Sequence, residues 1–202
     1  MKQIFTLLVL AICLNSSAQQ FGYRKGFIVT KTNDTIQCLV PITSSFDEKI
    51  SIKKGINNKE ETILLTDVKY LVTETNVYEN IAFQKKGKEI QKLMWLEIPG
   101  KLNLYLEIFI TRSGSTYPIT QPSPTNSATP KGQLTYFGEP IKTYVVKKSD
   151  SSFLIEEKKF IETISPLIFD NKDLLHKVET KVYKFHEIEA VIKEYNSYFK
   201  SN

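Results

Sequence analysis

The feature that most restricts the fold of this chain is a change of hydrophobic period near residue 156. From about residue 26 to 155, apolar residues recur at every second position, interrupted by turn residues; after Glu156 they recur every 3.6. Period two places alternate side chains on opposite faces of a strand, whereas 3.6 draws one stripe along a helix. A block of strands followed by a block of helices, without βαβ alternation, argues against a parallel doubly wound sheet. The pattern predicts an α+β fold: an antiparallel β-rich domain followed by about three short C-terminal helices.

Within the first block, residues 26–30 (GFIVT) read as a strand, residues 31–34 as a turn containing Asn33-Asp34, and residues 35–40 as the returning strand, ended by Pro41. Residues 49–53, 61–65, 77–83 and 89–98 are further strands, with a turn at 55–58 and a stop at Pro99-Gly100. Val68, Tyr70 and Val72 are expected on one face of their strand, with Lys69, Leu71 and Thr73 on the other. The strongest strand covers 102–110. Leu102, Leu104, Leu106, Ile108 and Ile110 share one face; Asn103, Tyr105, Glu107 and Phe109 share the other, as in a central strand with a buried side. Residues 118–132 hold four of the eight prolines and no periodicity, which predicts a long flexible loop. Residues 142–147 and 152–155 read as a hairpin around Ser149-Asp150-Ser151.

In the second block, Phe160, Ile161, Ile164, Leu167 and Ile168 form one helical stripe, which Pro166 is expected to kink or divide. Asp170 or Asn171 caps a short helix carrying Leu174, Leu175 and Val178. A third helix over about 185–199 has the stripe Phe185, Ile188, Ile192, Tyr195 and Phe199, with Glu189 and Lys193 spaced for an i, i+4 pair. Helices this short are marginal alone in water, so their stripes are expected to dock on each other and on one face of the sheet.

The first 18 residues, MKQIFTLLVLAICLNSSA, have the three parts of a secretory signal peptide. These are a positive start at Lys2, an apolar run from residue 4 to 14, and small residues before a cleavage point after Ala18. That run falls short of the roughly 20 residues needed to span a bilayer. The expected organisation is a signal peptide (1–18), a β-rich region (19–155) and a helical region packed on it (156–202). The mature chain is expected to lack a transmembrane segment, and to be periplasmic, outer-membrane associated or secreted. Cys13 raises a lipid anchor as an alternative, but it lies inside the apolar run and follows Ile12, where such a signal carries a small residue. Cleavage leaves Cys38 without an internal disulfide partner, in a strand where a small buried apolar residue is the ordinary reading.

The formal charge is +5, carried by 25 Lys and two Arg (Arg24, Arg112) against 22 acids. Lysines interleaved with acids, and so little arginine, speak against nucleic-acid recognition, which favours the planar guanidinium fork. Catalytic, cofactor-binding and metal-ligating sets are expected to be absent. The histidines, His176 and His186, form no H-x-x-x-H pair, there is no G-x-S-x-G elbow, and the eight glycines never cluster into a phosphate loop. The adjacent acid pairs 47–48, 60–61 and 156–157 do not face each other.

Aromatic residues are the remaining lead. Tyr70, Trp95, Tyr105 and Tyr117 fall in or near the sheet and are the candidate ligand-contact residues for a glycan or an apolar ligand, with ordinary sheet packing as the favoured reading. Tyr105, opposite the leucine face, would be a surface aromatic if its own face is left uncovered. Asp34-Thr35-Ile36 resembles the Asp-Ser/Thr-aliphatic acceptor of O-glycosylation in exported Bacteroidota proteins, although a plain turn is the favoured explanation.

Four short motifs together resemble a set of small exported Bacteroidota proteins. They are GFIVT with N-D-T-I (26–30 and 33–36), Gly100 leading to Leu104-Tyr105, Tyr144 leading to Lys147-Lys148, and Tyr195-Asn196 near the end. The chain departs from that pattern at Cys38, where the family often has Gly. The resemblance implies the compartment and the layout and carries no activity. The expected function is an exported, non-enzymatic binding or cell-envelope accessory protein whose partner is an envelope protein or a glycan. The alternative is a hydrolase with a spatially assembled site around His176 or His186.

Overall fold

A computed structural model describes residues 23–41, 46, 48–54, 59–110, 117–118, 133–134 and 140–200. The expected signal peptide (1–18) with Cys13, the expected turn at 55–58 and almost all of the proline-rich stretch lie outside the described residues. Pro118 closes a two-residue strand, β9 (Tyr117–Pro118), which pairs with β10 (Gln133–Leu134).

The other strands are β1 (Tyr23–Thr30), β2 (Thr35–Pro41), β3 (Lys49–Lys54), β4 (Lys59–Leu64), β5 (Val68–Thr73), β6 (Val77–Lys85), β7 (Lys88–Ile98), β8 (Asn103–Ile110), β11 (Pro140–Lys148) and β12 (Ser151–Ile155). They form one antiparallel ten-stranded sheet in the order β12-β11-β8-β7-β6-β5-β1-β2-β3-β4. Turn chemistry sets the hairpins. Asn33 takes a φ of 65° between β1 and β2, which Asn tolerates better than most residues. Lys86 and Gly87, at 53° and 73°, make the two-residue turn between β6 and β7 whose positive φ angles match the twist of the strands. The chain is α+β as its period change predicts, with α1 (Phe160–Ile168), α2 (Lys172–Glu179) and α3 (Ile188–Tyr198) after the sheet.

The sheet is bent in two opposite senses, and connection length shows why it must be. The link from β4 to β5 is the single 3-10 turn Leu65–Asp67, yet β4 and β5 stand four strand steps apart. A flat sheet would separate them by about 19 Å, and the link reaches at most about 14 Å. The β1–β5 half therefore curls, enclosing Ile28, Cys38, Val40, Phe46, Ile50, Ile52, Leu65, Val68 and Leu71, together with Leu93 of β7. Asn80 of β6 fixes the turn by donating from Nδ2 to the carbonyls of Leu65 at 2.7 Å and Val68 at 2.8 Å. In the other half β12 comes back against β6, and the opposite face closes over Ile81, Phe83, Met94, Tyr105 and Val145.

Two β-bulges change the alternation read from sequence. Register slips between Val29 and Thr30, so Lys69 is left unopposed, and Val68 and Leu71 both turn to the core. The expected grouping of Val68 with Tyr70 and Val72 is therefore corrected: Tyr70 and Val72 are half-buried on the other side. A second slip between Leu96 and Ile98 leaves Glu97 unopposed and returns Ile98 to the side of Trp95 and Leu104.

Leu102, Leu104 and Leu106 lie under the helices with Tyr144, Val146 and Ile155, against Phe160, Ile164, Ile168, Leu174, Val178, Ile188, Ile192 and Tyr195. Pro166 lies inside α1, which runs on through it to Ile168 and is not divided there. Lys148 Nζ, in turn, donates to the Leu167 carbonyl at 2.6 Å. Asn171, rather than Asp170, caps α2: its Oδ1 accepts from the Leu174 N–H at 3.1 Å. The Glu189 carboxylate lies 3.8 Å from Lys142 of β11.

Candidate functional site

Alternation on β8 sends Tyr105 away from the leucines, as expected, but not to the surface. Its ring is 0% exposed, because the bend of the sheet closes this face over it. The Tyr105 hydroxyl donates to Oε2 of Glu79 on β6, and Lys147 Nζ of β11 lies 2.5 Å from Oε1 of the same carboxylate. Strands β6 and β11 are three steps apart in the sheet, about 14 Å if it were flat. The curvature that builds the small apolar core therefore also assembles this polar network.

Tyr70 of β5 is paired with Glu79 in register, on the same side of the sheet, and is half-buried. Glu79 is 13% exposed and Lys147 24%, so the network reaches solvent along one rim, with Asn103 beside it opposite Lys147. Deeper along the same face, Lys92 Nζ lies 2.5 Å from Oε1 of the buried Glu107. Burial pushes the Tyr105 phenol far above its ordinary range, and the Glu79 hydrogen bond and charge push it further. Tyr105 is thus a fixed donor at any physiological pH. Both oxygens of the Glu79 carboxylate are engaged, and its charge is matched by Lys147. The arrangement holds groups in place; it does not leave a free base next to an open position.

Of the four expected contact residues, the structure brings Tyr70 and Tyr105 to one site. Trp95 is on the opposite side of the sheet, half-buried against the helix-covered core. Tyr117 belongs to β9, and its side chain lies outside the described residues. Sequence reading passed over Glu79 and Lys147, although a signal was present. Each sits at the core parity of its strand, Glu79 with Ile81 and Phe83, and Lys147 with Val145.

A second network ties the sheet to the helices. Asn196 of α3 accepts from the Leu102 N–H at 2.9 Å and donates to the Leu102 carbonyl at 2.8 Å. Gly100 makes this possible, since a Cβ there would stand 2.2 Å from Asn196 Nδ2. Next to it, Asp170 Oδ2 accepts from the Tyr195 hydroxyl at 3.0 Å and from Lys101 Nζ at 3.2 Å. Burial pushes the Tyr195 phenol up, as does Asp170. Asp170 is held below its ordinary value: its own burial opposes this, and the Tyr195 and Lys101 hydrogen bonds prevail.

His176 and His186 are both exposed, His186 by 74% of its side chain, and His186 Nε2 is 4.0 Å from Glu187, beyond hydrogen-bond reach. Cys38 is buried, and burial raises its thiol pKa, away from the thiolate a nucleophile needs. Among the described residues, no group of three His, Cys, Asp or Glu side chains converges on a metal position, and no helix is long and apolar enough to cross a membrane. No protein-family model, curated protein or solved structure matches this chain.

Proposed function

We propose that this chain is an exported, non-enzymatic binding or cell-envelope accessory protein, whose ligand or partner engages the rim formed by Tyr70, Glu79, Lys147 and Asn103. The observation that carries the reading is the Glu79–Tyr105–Lys147 network. Its titratable groups are neutralised and locked by each other, as suits a preorganised contact surface, whereas a general base must be free to take a proton. A half-buried tyrosine beside a fixed ion pair offers an apolar face and directed hydrogen bonds together, which fits a glycan hydroxyl array or a polar protein surface. The N-terminal sequence supports export, and the four motifs that resemble exported Bacteroidota proteins support the same compartment.

Two measurements test this. Mass spectrometry of the mature chain is expected to give an N-terminus at Gln19 in an envelope or extracellular fraction; uncleaved protein recovered from the cytoplasm would reject export, and an acylated Cys13 would replace it with a lipid-anchored form. Retention on purified envelope glycan and on envelope protein fractions is expected to fall at least fivefold in Tyr70→Ala, with cooperative unfolding retained. Equal retention of the variant would remove the rim from the binding surface.

A further inference from the structure

A groove of about 580 Å³ runs between the turn that leads into α1 and the loop from α2 to α3. Its apolar lining is the half-buried Ile161 and Phe185, with the buried Phe160 packed behind Phe185. Phe185 packs edge-to-face on Phe160, with centroids 6.2 Å apart, and on Tyr144, at 5.8 Å, so this lining is anchored in the main core. The loop wall presents Lys181, Lys184 and His186. Its course is set by Lys181 at a φ of 62°, by the Lys184 N–H donating to the Glu187 carboxylate at 2.9 Å, and by the Tyr183 hydroxyl donating to Glu194 at 2.6 Å. The facing wall carries Lys158 with Glu157 and Glu162. Among the described residues, none of these three lysines has a carboxylate within ion-pair distance.

We propose that this groove binds an apolar carboxylate, a monoanion with an acyl body. The body lies on Ile161 and Phe185, and the carboxylate meets Lys181 and Lys184. Three observations select this class. The volume falls within the ~300–1,000 Å³ typical of small-molecule sites. Among the described residues, Ile161 and Phe185 line the groove and are only half-buried, so part of their apolar surface is open to contact. The lining holds three lysines against two glutamates, one excess positive charge with the histidine neutral, which matches a single negative charge. A cation would meet the lysine wall and the net positive charge of the lining. Lysine ammonium groups serve a carboxylate as rotatable point charges and do not need the bidentate fork of arginine. The proposal rests on the binding-protein reading but names a different surface from the Tyr70–Lys147 rim.

The test is titration of the whole mature chain with decanoate, below the concentration at which it forms micelles. Binding is followed by calorimetry and by amide NMR shifts, with decyltrimethylammonium and decyl maltoside in parallel. Decanoate is expected to saturate with a dissociation constant below about 1 mM. Its shifts should centre on residues 158–162 and 181–186, and the two controls should bind at least tenfold more weakly. Lys181→Glu/Lys184→Glu should weaken decanoate at least tenfold at an unchanged unfolding midpoint, while Lys181→Arg/Lys184→Arg retains it. No saturation, equal binding of the cationic or neutral control, or indifference to charge reversal overturns the proposal. Shifts centred on Tyr70 and Lys147 would overturn it as well, and would leave the binding-protein reading standing. Failure of decanoate to bind alongside loss of envelope retention in Tyr70→Ala would separate the two in the same way.

Discussion

At the scale of single residues, two glycines and one ion pair carry more than their size suggests. A Cβ on Gly26 would stand 2.4 Å from the Val72 carbonyl oxygen, a backbone atom in the neighbouring strand that cannot swing aside. Gly26→Ala is therefore expected to cost about 2 kcal/mol or more through overpacking, read as a lower urea midpoint. Gly100→Ala meets a side chain instead, and moving it means losing the Asn196 bonds to Leu102. Gly100→Ala and Asn196→Ala should each cost about 1–3 kcal/mol, and the double variant should cost clearly less than the two together, because both remove one clamp. Additive losses would show that Asn196 keeps its place without Gly100. In the Glu79–Lys147 pair, Glu79→Gln leaves a largely buried ammonium without its counter-charge. It is expected to destabilise by about 3 kcal/mol, whereas Tyr105→Phe, which removes only a donor, should cost about 1–2 kcal/mol.

At the scale of elements, the helices are held by carboxylates whose protonation state decides their docking. Asp170, between α1 and α2, binds Tyr195 of α3 and Lys101 of the turn before β8. Glu194 of α3 binds Lys177 of α2 at 2.7 Å and Tyr183. Burial alone would raise the Glu194 pKa, but the Lys177 and Tyr183 hydrogen bonds outweigh it and hold Glu194 low. Both folded-state values lie below the ordinary 3.8 and 4.5, so the unfolded chain binds these protons more tightly. The stabilisation is then complete above about pH 5 and is lost as pH falls through the folded values. Stability measured from pH 6 down to pH 2.5 should drop on this limb, and Asp170→Asn/Glu194→Gln should flatten it; an unchanged slope would place the acid sensitivity elsewhere. The elements also show what periodicity can and cannot supply. The helical stripe of α3 is legible because three of its members, Ile188, Ile192 and Tyr195, are fully buried at 3.6 spacing. The faces of β5 were misread because a bulge is a property of two paired strands, and the neighbour that creates the slip is 40 residues away in the chain.

At the scale of the whole molecule, one sheet serves two cores on one side and a third on the other. Among the described residues, the leucine face of β8 is covered by the helices after 156, so removing 157–202 exposes Leu102, Leu104, Leu106, Tyr144 and Val146 together. A chain ending at residue 156 is expected to be insoluble or to bind hydrophobic dyes strongly. Recovery of a monomeric, cooperatively folded truncation would show that the sheet stands without its helical layer. Trp95, the single tryptophan, packs against that shared core. Its fluorescence transition in urea should coincide with loss of helical ellipticity, since both report one cluster; separated transitions would show that the helices leave the sheet first.

The sequence by itself determined the order of strands and helices, the hairpin positions, the leucine face of β8 and the stripes of the helices. Each of these is a local periodicity or a turn preference, encoded within a dozen residues. Only the tertiary structure decided that Tyr105 is buried, that Glu79 and Lys147 meet across three strand steps, and that Tyr183, Phe185 and Ile161 line one groove. The first two depend on the sense and degree of sheet curvature, which arises from a short β4–β5 link, two bulges and the packing of distant strands, and the groove depends on how the α2–α3 loop packs beside the start of α1; none of these couplings leaves a periodic trace in the chain.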